Sequence, residues 1–208
     1  MKEIFRLTLV LTVITAVSAG VLAFVSYQTE EPIRKALQEE KMTAARNVLP
    51  PFDNKIIEDR KFVVNSAGDT IEVFRGKKDG KITGAAFPVI SADGYSGDIE
   101  FLVGVNRDGV IQGVEILKHS ETPGLGAKIQ SGEFRDQFEG HSIDNTRVWE
   151  VKKDGGEFEQ ITGATISSRA VTRAIRKGLN FYETNIDEIT GGADRLREGV
   201  KQGSEEKD

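Results

Sequence analysis

Residues 101–117 read FLVGVNRDGVIQGVEIL, two apolar runs joined by Asn106-Arg107-Asp108-Gly109. Asparagine and aspartate satisfy backbone donors within a reversal, and glycine supplies the left-handed backbone that a tight turn requires. The flanking residues are mostly β-branched or aromatic, so the segment reads as a β-hairpin. A connection this short joins antiparallel strands, because a parallel pair needs a crossover of a dozen residues or more. Outward from the hairpin, Ile71–Phe74, Ile82–Ile90, Ile99–Val105, Val110–Leu117 and Val148–Val151 carry the same composition. Turn signals separate them at Lys78-Asp79-Gly80, Asp93-Gly94 and Asp154-Gly155-Gly156. Gly132–Phe138 is a short helix after a glycine turn, and a longer helix starts near Thr165. On that longer helix Val171, Ala174, Ile175, Gly178 and Tyr182 share one face, with Arg169, Arg173 and Lys177 elsewhere. The predicted class is α+β: an antiparallel sheet with flanking helices.

The N-terminus adds a different signal. Leu7–Ser26 runs for twenty residues without a charge, enough for a helix of about 30 Å, the thickness of a bilayer's hydrocarbon core. Lys2 and Arg6 precede it, and Glu30 and Glu31 follow, which by the positive-inside rule leaves the short N-terminus cytoplasmic and sends the remainder outside. Small residues at Ala16, Ser18 and Ala19 also suit a cleaved signal peptide. The length of the run and the interfacial Tyr27 favour a retained single-pass anchor in the inner (cytoplasmic) membrane. Glu30–Val48 reads as a charged helix with Pro32 in its first turn, ended by Leu49-Pro50-Pro51. The expected organisation is therefore 1–29 as cytoplasmic N-terminus and anchor, 30–51 as juxtamembrane helix, 52–186 as the main domain, and 187–208 as a polar, disordered tail.

Composition narrows the chemistry. The chain has 208 residues and a net charge of −5, from 28 basic against 33 acidic side chains, which argues against nucleic-acid binding. It has no cysteine, hence no disulfide, thiolate metal site, iron–sulfur cluster or thioether haem. With two histidines, His119 and His141, a histidine-rich metal site is excluded as well, and redox chemistry requires an organic cofactor.

Two segments have chemical potential. In Glu159–Ser168 (EQITGATISS), hydroxyl residues surround Gly163-Ala164 where the last helix begins. Free N–H groups and the positive end of the helix dipole suit a phosphate there, and the same residues suit ordinary capping by a threonine or serine. In His119–Gly126 (HSETPGLG), two glycines and a proline form a loop that can present backbone to a flat ligand, with Leu125 as apolar cover. The alternative is a rigid turn. His119 and Glu121 have the composition of an acid–base pair, but the pair does not by itself define an enzyme.

Gly94-Tyr95-Ser96-Gly97, the hairpin ending near His119, Glu121-Thr122-Pro123-Gly124-Leu125-Gly126 and Thr162-Gly163-Ala164-Thr165 occur in this order. This combination resembles the FMN-binding domain family. With the anchor and the chain length, it is similar to G subunits of the Rnf (Rsx) ion-translocating electron-transport complex, over Met1 to about Ile186. The resemblance implies FMN joined by a phosphoester to Thr165 through a separate flavin transferase. Thr162, Gly163, Ala164 and Ser167 are then phosphate neighbours, and His119, Glu121, Thr122, Gly124, Leu125 and Gly126 line the flavin. It further implies an electron relay that is not catalytic alone, partnered by membrane and iron–sulfur subunits of a ferredoxin:NAD+ oxidoreductase complex. Glu159 departs from the aspartate usual six positions before the acceptor. The alternatives are the C subunit of sodium-translocating NADH:quinone reductase, which shares anchor and motif, and a flavin-free extracytoplasmic binding or scaffold module.

Overall fold

The structure is a computed structural model and describes residues 1–192. The chain forms two units, Met1–Lys41 and Met42 onward. Helix α1 spans Lys2–Val48, and its N-terminal stretch is long and apolar enough to cross a membrane. Glu30–Val48, expected as a helix of its own, is the C-terminal part of α1. Pro32 lies inside α1 instead of opening a new helix. Proline removes one backbone hydrogen bond, and cooperative propagation on both sides of it keeps the helix continuous.

The second unit is built on a five-stranded antiparallel meander in the order β1-β2-β3-β4-β5: Arg60–Val64, Thr70–Lys78, Lys81–Ser91, Ile99–Asn106 and Ile111–Lys118. The hairpin at 101–117 forms as expected. The Asn106 side-chain oxygen accepts the Asp108 and Val110 N–H groups, and Gly109 adopts φ +77°. Pro88 is tolerated within β3 because β2 pairs only as far as Ala86, so from Phe87 onward β3 is paired on one side alone, with β4.

Both faces of the sheet are covered. Phe101, Val103 and Val105 of β4 point into the main core with Phe87 and Val114, beneath helix α3 (Thr165–Thr184). Leu102 and Gly104 alternate to the other face, where Ala44, Ala45, Val48 and Leu49 form a second core. Gly104 and Gly113 lie side by side under Val48, and a Cβ on Gly104 would overlap the Val48 carbonyl. The glycines of the hairpin therefore have a packing role: they let the end of α1 lie flat on the strands.

Three further expectations are corrected. The sheet has an additional edge strand, β1, with little local signal: its five residues RKFVV carry two cations and a single fully buried side chain, Val63. Val148–Val151 is not a strand. It contributes one isolated parallel bridge from Val151 to Phe158, and the chain loops round between them through Gly155 at φ +83°. The polar tail does not begin at 187: Ile186–Thr190 forms helix α4, with Ile186 and Ile189 buried in the main core. The expected disorder beyond that, for 193–208, lies outside the described residues. Gly132–Arg135 forms helix α2, and 3-10 turns lie at Gly126–Gln130, Asp136–Phe138 and Lys152–Asp154.

Candidate functional site

At the N-terminus of α3 a cleft of about 600 Å³ opens between three segments distant in sequence. Glu121, Thr122, Leu125 and Gly126 line it from the loop after β5, Gly163–Ser167 from the helix start, and Tyr95 and Lys153 complete the lining. The two segments singled out from sequence thus share one site. Gly124 and His119 belong to the same loop but do not line the cleft, and Thr162 faces a neighbouring groove with Glu159 and Gln160.

The helix start is shaped by Gly163 at φ +82°, which turns the chain so that Ala164 becomes the N-cap. No threonine or serine caps the helix, contrary to the capping alternative. Ser168 is fully buried and turned backward, donating to the Ala164 carbonyl (3.0 Å) and accepting from the Ile161 N–H (3.0 Å). Ser167, also buried, donates to Glu121 Oε2 at 2.7 Å. The Thr162 and Thr165 hydroxyls make no hydrogen bond among the described residues. Thr165 is the one of these two that lines the cleft.

Glu121 is a buried carboxylate held within a hydrogen-bond network. It is 4 % exposed, and both carboxylate oxygens are engaged: Oε2 by Ser167 and Oε1 by the Ser96 N–H at 3.1 Å. His119 does not meet the carboxylate. Its Nδ1 accepts the Glu121 backbone N–H at 3.1 Å. The Gly94-Tyr95-Ser96-Gly97 turn, the loop and the first turn of α3 therefore converge on one buried carboxylate. The glycines of two of these segments are needed for it. A Cβ on Gly94 would lie 2.9 Å from Oε1, and one on Gly126 would lie 2.5 Å from Oε2. A negative charge held behind the third residue of a helix is also favoured by the dipole.

On the far side, Asp154 forms a two-point ion pair with Arg169 of α3, with Oδ1 2.7 Å from Nη2. Arg169 holds the Asp154 carboxyl below the ordinary carboxylate range through this hydrogen bond, and the same bond raises the guanidinium. The pair ties the turn at Lys152–Asp154 to the helix and so brings Lys153 to the cleft.

The site offers an uncapped helix start, an unengaged hydroxyl, a cation, and exposed Tyr95, Leu125 and Ile166. That combination fits a phosphate-bearing planar ligand, with the phosphate at the helix and the ring against the apolar rim. Tyr95, Lys153 and Ile166 join the site beyond the residues expected from sequence. Tyr95 stands within a recognised string, whereas Lys153 has no local signal.

Residues 94–180 match the FMN-binding domain family. The G subunit of the ion-translocating oxidoreductase complex of Aliivibrio fischeri (strain MJ11) is 36% identical over 185 residues, spanning 84% of this chain and 88% of that protein. The G subunit of the Na(+)-translocating ferredoxin:NAD(+) oxidoreductase complex of Acetobacterium woodii is 35% identical over 193 residues, spanning 88% and 93%. Among solved structures, the C subunit of the Na(+)-translocating NADH-quinone reductase from Parabacteroides distasonis aligns at TM-score 0.49 and 24% identity, covering 64% of this chain and 68% of that one. The strings that frame the cleft all lie within the matched domain, and the likeness to the G subunits extends well beyond it. The chain belongs to the family of ion-translocating oxidoreductase complex G subunits, with the FMN-binding domain of that family.

Proposed function

We propose that this chain is the membrane-anchored flavoprotein subunit of an ion-translocating ferredoxin:NAD+ oxidoreductase complex, carrying FMN as a phosphoester on Thr165 and relaying electrons between other subunits. One observation supports the attachment point above the rest. Of the four hydroxyls around Gly163-Ala164, Ser167 and Ser168 are buried and bonded, Thr162 faces another groove, and Thr165 alone combines a cleft position with an unengaged oxygen. Forming the ester requires the Thr165 oxygen to bond phosphorus while a phosphoanhydride bond of an activated flavin donor breaks. The hydroxyl proton leaves in the same step, and the flavin transferase supplies donor and base. Once bound, FMN supplies one- and two-electron chemistry that no side chain of this chain offers.

The protein's own part is to hold and shield. The N–H groups at the start of α3 would hold the phosphate, the Glu121 network holds the loop against the helix, and Leu125, Ile166 and Tyr95 would cover the ring. Among the cleft-lining residues the one carboxylate, Glu121, is engaged through both oxygens and leaves no free general base. A relay subunit within a complex containing membrane and iron–sulfur partners accounts for this better than an enzyme acting alone. The visible spectrum after co-expression with a flavin transferase tests the reading: flavin bands should survive denaturation and precipitation, and flavin released on denaturation would refute the covalent link.

The flavin domain is assigned to the extracytoplasmic side, on the charge asymmetry of Lys2 and Arg6 against Glu30 and Glu31. Protease added to intact spheroplasts should remove it, and complete protection alongside digestion of other surface proteins would reverse the topology. The anchor is assigned as retained, with Ala16, Gly20 and Ala23 as a small-residue face for neighbouring membrane helices. Intact-mass measurement should find the N-terminus near Met1, whereas a start near Ala19 or Gly20 would mean a cleaved signal.

A further inference from the structure

We infer that Lys153 is the counter-ion of the phosphodiester at Thr165. This inference rests on the placement of FMN proposed above. Four cations cluster at this end of the domain, and three are neutralised. Lys152 pairs with Glu159 at 2.5 Å, Arg169 with Asp154, and Arg173 with Glu150 at 2.8 Å. Lys153 forms no salt bridge among the described residues; the nearby Asp154 carboxylate, whose hydrogen-bonded partner is Arg169, feels its charge only through space, and Lys153 is the one of the four that lines the cleft with Thr165.

Its position is also built. The Lys153 backbone N–H donates to Gln160 Oε1 at 2.9 Å, and the next residue, Asp154, is tied to Arg169 in the second turn of α3. The turn therefore moves with the helix that carries Thr165. The charge pattern inside the cleft is complementary to an added anion: among the described residues the only carboxylate lining it is Glu121, whose oxygens are both engaged, and the first turn of α3 carries no acidic residue. A phosphodiester at Thr165 adds one negative charge between the helix N-terminus and an ammonium that no carboxylate bonds directly, in a cluster of four cations and three carboxylates. The dipole alone is a diffuse partner, and the lysine makes the neutralisation local.

The test uses the full chain in detergent, expressed with and without a flavin transferase, as wild type, Lys153→Gln, Lys153→Arg and Lys152→Gln. Peptide mass mapping of the wild type first establishes the adduct on Thr165. Without that adduct the proposed function fails, and this inference fails with it. In the loaded fraction, Lys153→Gln is expected to move the phosphodiester ³¹P resonance and to reduce the rise in Tm on flavin loading by about 2 °C. Lys153→Arg should restore both signals, and Lys152→Gln should alter neither. Unloaded Lys153→Gln should melt with unloaded wild type, which separates a counter-ion from a structural lysine. If the adduct is on Thr165 and the ³¹P resonance and Tm rise of Lys153→Gln match wild type, Lys153 is a solvated surface residue and only this inference falls.

Discussion

Thr165→Val is expected to give a folded, colourless chain that lacks the FMN mass and whose assembled complex no longer passes electrons through this subunit. Valine keeps the β-branched shape at the first residue of α3 and removes only the oxygen. Because that hydroxyl has no partner among the described residues, its loss leaves no stranded donor or acceptor, and stability should change by about 0.5 kcal/mol or less. The variant therefore separates attachment from folding, which neither buried serine can do: Ser167 and Ser168 each hold a hydrogen bond whose removal would disturb the helix start. Thr165→Ser should retain part of the flavin, since the hydroxyl survives but rotates more freely without the γ-methyl group. Peptide mass mapping after co-expression with a flavin transferase decides the matter. An adduct on Thr162 or Ser167, or full flavin content in Thr165→Val, would overturn the assignment.

Gly126→Val is expected to destabilise the domain strongly. A Cβ at this position lies 2.5 Å from Glu121 Oε2, 2.9 Å from Ser167 Oγ and 3.0 Å from Glu121 Cβ. These are side-chain atoms, but Glu121 has no room to yield: it is buried, held through both oxygens, and backed by Gly94. Displacing the carboxylate breaks two charge-assisted hydrogen bonds in the interior, and with the overpacking itself this costs about 3–5 kcal/mol. For a domain of this size the melting temperature should fall by roughly 10 °C. The flavin spectrum should also change, because the loop and the helix start lose their common anchor. Gly124→Val is the informative contrast. Gly124 has open space around its Cβ position, and its penalty is confined to the φ of +76°, about 1–2 kcal/mol. A double variant, Glu121→Ala with Gly126→Val, should be less destabilised than the sum of the single changes, because removing the carboxylate removes the clash. Wild-type melting and spectrum for Gly126→Val would show that Glu121 does not organise the cleft.

Local patterns account for what was legible without coordinates. The hairpin at 101–117, the strands on either side of it and the helix from Thr165 to Thr184 depend on turn chemistry and on periodicity within a few residues, and these are written consecutively in the chain. The apolar run of α1 is equally local. The strings around Glu121 and Thr165 are contiguous, so their resemblance to a family survives without knowledge of what they touch. The errors have a common character. Short β1 and α4 are stabilised by distant contacts rather than by propensity, since Val63, Ile186 and Ile189 all join the main core. In α1, the sequence around Pro32 carries a start signal that cooperative helix propagation overrides.

The decisive site facts are relations between remote residues. Glu121 meets Ser167 46 positions away and Ser96 25 positions away, which turns an apparent acid–base candidate into a structural anchor. The choice among four neighbouring hydroxyls depends on which of them are already bonded, and Lys153 stands out only because the basic groups near it are paired. Gly104 and Gly113 of the hairpin, too, acquire their reason from Val48, more than fifty residues earlier. By itself the sequence determined the central hairpin and its neighbouring strands, the long last helix, an N-terminal run long and apolar enough to cross a membrane, and the motif strings, because each is set by interactions along the chain. The tertiary structure alone decided which side chains are already engaged and which remain available to a ligand, because hydrogen bonding and burial are exhausted by partners that only folding brings together.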